Sequence, residues 1–200
     1  MDGVPTVQPK RPSVFVGWVA ACAVAAAIGA SLSLVSVAPG PPRLIADGLI
    51  VGLLQGFALR GFVRLKWWVA LTMSGIALGF IAGVIGVVIA GLGLAPLGND
   101  NPVYLATIYG VGALIGGLVV GFIQGVGLPL ERHLVPWLVG TACGAPFIFP
   151  ALVFSWFPPE SVTTPVPSVL IGVVGGLVYG VVSGVGLQRA LRVVGDPGPG

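Results

Sequence analysis

The chain has 200 residues, of which 56% are apolar and 8% charged, with a mean hydropathy of +1.07. That balance excludes a soluble domain, because apolar runs of span length almost free of charge belong in a bilayer. The formal charge of +3 is small, and its placement matters more than its size.

Residues 1–12 (MDGVPTVQPKRP) are Pro-rich and polar and read as a disordered cytoplasmic tail. Six apolar spans are expected after it, over 13–37, 44–62, 67–92, 103–126, 134–156 and 167–187. Lipid cannot satisfy backbone N–H and C=O groups, so spans are helices or strands of a closed barrel. These runs are too long and too uniformly apolar for barrel strands. The first run is about twice the length of a signal-peptide core, and Pro39 follows its last small residue, Ala38. It is therefore expected to be a retained span. The helical domain should cover 13–191, with a second disordered tail at 192–200.

Charge placement gives the orientation. Lys10, Arg11, Arg60, Arg64, Lys66, Arg132, Arg189 and Arg192 all fall on one side of this topology, and Arg43 alone on the other. Positive residues stay cytoplasmic, so the chain is expected in the cell membrane as a multi-pass protein with both termini inside. Trp18, Trp67, Trp68 and Trp137 fall near the cytoplasmic starts of spans one, three and five, and Tyr104 and Trp156 near the opposite face. These positions predict an interfacial aromatic belt.

A shift of 69 residues superimposes a whole hairpin on a later one. Gly48, Gly52, Gln55 and Gly56 fall on Gly117, Gly121, Gln124 and Gly125, and Trp68, Thr72 and Gly75 on Trp137, Thr141 and Gly144. A third copy carries Gly176, Gly180, Ser183 and Gly184, and the first span supplies the leading half of a copy, with Trp18, Cys22 where Thr72 stands and Gly29 where Gly79 stands. The expected fold class is an all-α integral membrane protein. Its six helices would form three parallel hairpin repeats, at about 13–62, 67–128 and 134–191, around a pseudo-threefold axis.

Residues four and seven apart share a helix face, so each copy of the motif forms one stripe of small residues around one polar side chain. Helices in lipid associate through close packing and interhelical hydrogen bonds. The twelve motif residues named above are thus candidates for helix packing or, alternatively, for lining a pore. Gln55 and Gln124 would either hydrogen-bond between hairpins or form a polar constriction on the axis. Pro146 and Pro150 should kink the outer half of span five, and the Pro-rich stretch after it should cap the outer face.

Few residues of the chain offer catalytic or ligand-binding chemistry. Cys22 and Cys143 both lie in apolar runs, have no metal-ligand spacing and read as buried, inert thiols. No ionisable residue is expected mid-span, which argues against ion-coupled transport. Ser31 lies in the outer half of span one and His133, the only histidine, in a cytoplasmic loop, so no base reaches the hydroxyl. No zinc motif, phosphate loop or paired carboxylate occurs. No enzyme activity, cofactor or metal is expected. Arg60, Arg64 and Lys66 act as topology determinants, with membrane lipids as the expected partners and no nucleic acid.

The block GLLQGFALRGFVRLKWWVALTMSGIALG resembles small prokaryotic multipass proteins in which G-x-x-x-G-x-x-Q-x-x-x-L-R leads into a basic turn and a Trp- and Gly-rich helix. The second copy departs from it, with Pro129 where Arg60 stands. The resemblance implies a prokaryotic membrane protein and no particular activity. Six spans, two inside termini and an Ala-rich first helix also look somewhat like the substrate-binding component of energy-coupling-factor transporters, although the threefold repeat departs from that family. That likeness implies a membrane-protein partner docked on the first helix. Two functions follow as expectations: a structural or assembly unit, with self-association or a membrane-protein partner, or a passive channel or solute-binding transporter subunit. They differ over whether the bundle encloses a hydrated cavity.

Overall fold

A computed structural model describes residues 11–32, 41–94, 102–128, 134–156 and 165–194. These residues form six helices: α1 (Arg11–Leu32), α2 (Pro41–Ala58), α3 (Leu65–Leu94), α4 (Pro102–Val126), α5 (Leu134–Trp156) and α6 (Pro165–Val194). Four are long and apolar enough to cross a membrane, namely Val14–Leu32, Leu65–Leu94, Val103–Val126 and Val169–Leu191. They mark the chain as membrane-embedded.

Proline starts these helices rather than breaking them. Pro12, Pro41, Pro102, Pro136 and Pro165 all stand within the first three residues of their helices, where the missing N–H has no intrahelical partner to lose. This moves four expected starts: α1 begins at Arg11, α2 at Pro41, α4 at Pro102 and α6 at Pro165. α6 also runs on to Val194, past the apolar stretch, because Ala190 is wholly buried and Leu191 packs against the core. α5 continues as one helix through Pro146 and Pro150. Most of the Pro-rich stretch after it, with Glu131, Arg132 and His133, lies outside the described residues.

Each helix packs against its neighbours in sequence, and α6 closes back on α1, so the six form a ring. Glycine sets how closely they approach. Gly48, Gly52 and Gly56 of α2 face Met73, Val69 with Thr72, and Leu65 with Trp68 of α3. Gly117, Gly121 and Gly125 of α4 face Ala142 with Ala145, Thr141, and Leu134 with Trp137 of α5. Gly176, Gly180 and Gly184 of α6 face Cys22 with Ala23 and Ala26, Val19, and Phe15 with Trp18 of α1. Between α3 and α4 the approach is backbone to backbone, with Gly79 against Gly116 and Gly83 against Gly112. Outward, the helices present large apolar side chains such as Ile81, Ile85, Ile89 and Leu92, as a lipid-facing surface requires.

The turn from α2 to α3 is short. Leu59 N donates to Gln55 O at 2.9 Å and Phe62 N to Leu59 O at 2.9 Å. Gly61 sits at φ 98°, which glycine adopts without a Cβ clash. The turn sets Trp68 directly against Gly56 and leaves Arg60, Arg64 and Lys66 exposed.

Candidate functional site

Three tryptophans fill the middle of the ring. Trp18, Trp68 and Trp137 come from α1, α3 and α5, and each is 0% exposed. Trp18 meets Trp68 edge-on at 6.3 Å between ring centroids and Trp137 at 5.5 Å, both at 76°. This is the T-shaped geometry that the ring quadrupole favours. Leu59, Leu128 and Leu187, one from the C-terminal end of each even-numbered helix region, join the same core. The expectation of an interfacial belt is therefore wrong for these three residues. Their indoles point inward because the facing glycines, Gly184, Gly56 and Gly125, leave room for a large ring. Of the four, Trp67 alone stays on the surface, at 60% exposure. Tyr104 is also buried, with its hydroxyl donating to Gly91 O at 3.5 Å.

A polar girdle lies beside the tryptophans. Gln124 Nε2 donates to Gln55 Oε1 at 3.1 Å and to Thr72 Oγ1 at 3.0 Å, joining α4 to α2 and α3. Gln55 Nε2 donates to Cys22 Sγ at 3.6 Å, which carries the chain of bonds to α1. Ser183 accepts from Trp18 Nε1 at 2.9 Å and donates to Tyr179 O at 2.6 Å. Trp137 Nε1 donates to Gly121 O at 2.7 Å. Gln55, Gln124 and Ser183 are 1%, 1% and 0% exposed, so none touches the acyl chains. Among the described residues, Trp68 Nε1 and Gln124 Oε1 have no partner. A buried polar atom left this way costs about 1–3 kcal/mol.

Toward the other end of α2 sits a buried ion pair. Arg43 is 2% and Asp47 7% exposed. Arg43 Nε donates to Asp47 Oδ2 at 3.0 Å and Oδ1 at 3.1 Å, and its Nη2 donates to Gly29 O of α1. The charge count places Arg43 on the side opposite the other basic residues. It and Asp47 are buried because α2 begins at Pro41, which takes Arg43 into the helix one turn from Asp47 and against α1. Beneath the pair is a cavity of about 50 Å³ bounded by Asp47, Val51 and Gln55 of α2, the small residues of α1, Ile148 and Tyr179.

The two cysteines differ. Cys22 is buried and accepts a hydrogen bond, so it takes part in the girdle, while Cys143 is exposed, contrary to the expectation of a buried thiol. Ser31 Oγ donates to Ala27 O within its own helix at 2.8 Å. The described residues contain no cluster of three or more potential metal ligands.

Sequence reasoning singled out the glutamines and the glycines, but missed the tryptophan cluster, the Arg43–Asp47 pair and Tyr179. The i, i+4 spacing of Arg43 and Asp47 was a usable signal, as was the placement of Trp18, Trp68 and Trp137 at matching points of three spans. No family model, curated protein or solved structure matches the chain.

Proposed function

We propose that the chain is a non-enzymatic membrane protein with six spans and both termini cytoplasmic, built as three parallel helical hairpins around a pseudo-threefold axis. Its role on this reading is that of a sealed structural or assembly unit. The observation that carries it is the three-indole plug, fully buried, where a conducting path would have to run.

Recurring contacts support the hairpin repeat. Gly56 meets Leu65 and Trp68, Gly125 meets Leu134 and Trp137, and Gly184 meets Phe15 and Trp18. The first two sets are related by the 69-residue shift seen in the sequence. The glycine stripes act as zippers between one hairpin and the next, and their inward use leaves self-association or partner binding to the large outward apolar side chains. Membrane lipids are the expected surroundings, and the exposed cluster Arg60, Arg64 and Lys66 suits anionic headgroups.

The second reading is a solute-binding subunit, favoured over a passive channel because the cavity beneath Arg43 and Asp47 is small, about 50 Å³, and bounded by Gln55. Cysteine scanning separates these functions. Gln55→Cys, Gln124→Cys and Ser183→Cys are made singly with both native cysteines replaced by serine, then treated with membrane-impermeant thiol reagents from each side. Protection at all three positions is the result expected for a sealed bundle. Labelling at all three requires a hydrated pathway and would replace this reading with the channel.

A further inference from the structure

The α1–α2 contact differs from the glycine contacts elsewhere in the ring, and beside it lies a wedge-shaped cavity lined by α1, α2, Ile148 of α5 and Tyr179 of α6. A Cβ on Gly79 or Gly83 of α3 would meet the carbonyl oxygens of Gly116 or Gly112 at 2.8 and 3.0 Å, so α3 and α4 touch along their backbones. On α1, Gly29 instead faces the Asp47 carboxylate, whose Oδ1 would lie 3.5 Å from a Cβ. A charged pair thus occupies the α1–α2 seam, where α3 and α4 use glycine against glycine. A buried ion pair is a poor way to gain stability, since desolvation offsets most of the attraction. The side chains that α1 offers to the space below are also small: Ala25, Ala26 and Ala30 bound the cavity of about 50 Å³.

The two ends of this cavity have different chemistry. At the inner end, the Gln55 amide nitrogen has two N–H donors. Its acceptor among the described residues is the Cys22 sulfur at 3.6 Å, a weak one, and the amide nitrogen carries a second N–H. At the other end the Asp47 carboxylate is an acceptor. Its charge is balanced by Arg43, and thiols and phenols such as Cys22 and Tyr179 are ordinarily neutral, so nothing selects for a net charge. At roughly 10–15 Å³ of this kind of volume per water, the cavity takes about three to five waters.

We propose that this wedge binds a small uncharged hydrogen-bonding solute of about four heavy atoms, the size of urea. Its acceptor end meets Gln55 Nε2 and its donor end meets Asp47, and water fills the wedge when the solute is absent. The proposal rests on the reading of the ring as sealed at the tryptophans, which makes the wedge a dead-end site.

Cys22 reports on occupancy because its thiol borders the cavity. The purified full chain carrying Cys143→Ser is treated with methyl methanethiosulfonate, a small neutral thiol reagent, and modification is followed by intact mass. Cys22 is buried, so it is expected to react slowly and only through the wedge, and urea at about 0.5 M to slow the reaction about threefold further by mass action, while sucrose at equal osmolarity, too large to enter, leaves it unchanged. Val51→Phe, which fills the wedge, should abolish both reaction and urea protection while tryptophan emission stays that of the parent. A Cys22 that reacts no faster in the folded parent than in folded Val51→Phe, even at raised pH, would overturn the proposal. So would urea protection no greater than that of sucrose. Labelling of Gln124→Cys and Ser183→Cys from both sides would instead sink the sealed ring, a result separable from loss of urea protection at Cys22.

Discussion

Gly176→Ala tests whether the glycine stripe holds the ring together. The added Cβ would lie 2.6 Å from Cys22 O, 2.7 Å from Ala26 Cβ and 3.0 Å from Ala23 Cα. Ordinary contact begins near 3.4 Å, so α1 and α6 must separate locally by about 0.8 Å. A gap of about 0.5–1 Å forfeits a quarter to a half of the dispersion energy of the atoms facing it. Overpacking of this kind costs about 1–3 kcal/mol, a factor of roughly 5–150 in the folded-to-unfolded ratio. The control is Gly110→Ala on α4, where a Cβ meets nothing within 4 Å and the change should be neutral or slightly stabilising. Both proteins are unfolded with sodium dodecyl sulfate in mixed micelles, and the red shift of the buried tryptophans reports the transition. A midpoint for Gly176→Ala equal to that of the wild type, with Gly110→Ala also unchanged, would refute the packing argument.

Gln124→Leu removes the bonds to Gln55 and Thr72 and should destabilise by about 1–2 kcal/mol in the same assay. A double-mutant cycle with Gln55→Leu should give a coupling of about 0.6–1.7 kcal/mol if the two amides interact directly. Asp47→Ala takes the carboxylate from a buried guanidinium and should cost about 3 kcal/mol or more, whereas Arg43→Leu combined with Asp47→Leu should recover most of that loss. Brominated lipids should quench Trp67 and spare Trp18, Trp68 and Trp137, so in a Trp156→Phe background Trp67→Phe should remove nearly all quenching. Quenching that survives this substitution would contradict burial of the three-indole cluster.

Helix existence was legible in the sequence, because apolar runs of this length leave the backbone no other way to satisfy its hydrogen bonds in lipid. So was the composition of the packing face, since the spacing of Gly48, Gly52, Gln55 and Gly56 puts them on one stripe whatever surrounds the helix. Helix periodicity names a face, however, and not the partner opposite it. That α2 meets α3, α4 meets α5 and α6 closes on α1 is decided only by ring closure. The tryptophans show the difference most clearly. Position near a span end is compatible with a headgroup belt or with an inward plug, and the cavity left by a facing glycine decides between them. Hydropathy locates Arg43 and Asp47 along the membrane normal and says nothing of their direction. Packing of α2 against α1 turned them inward, joined them as a pair and left the polar wedge beneath them.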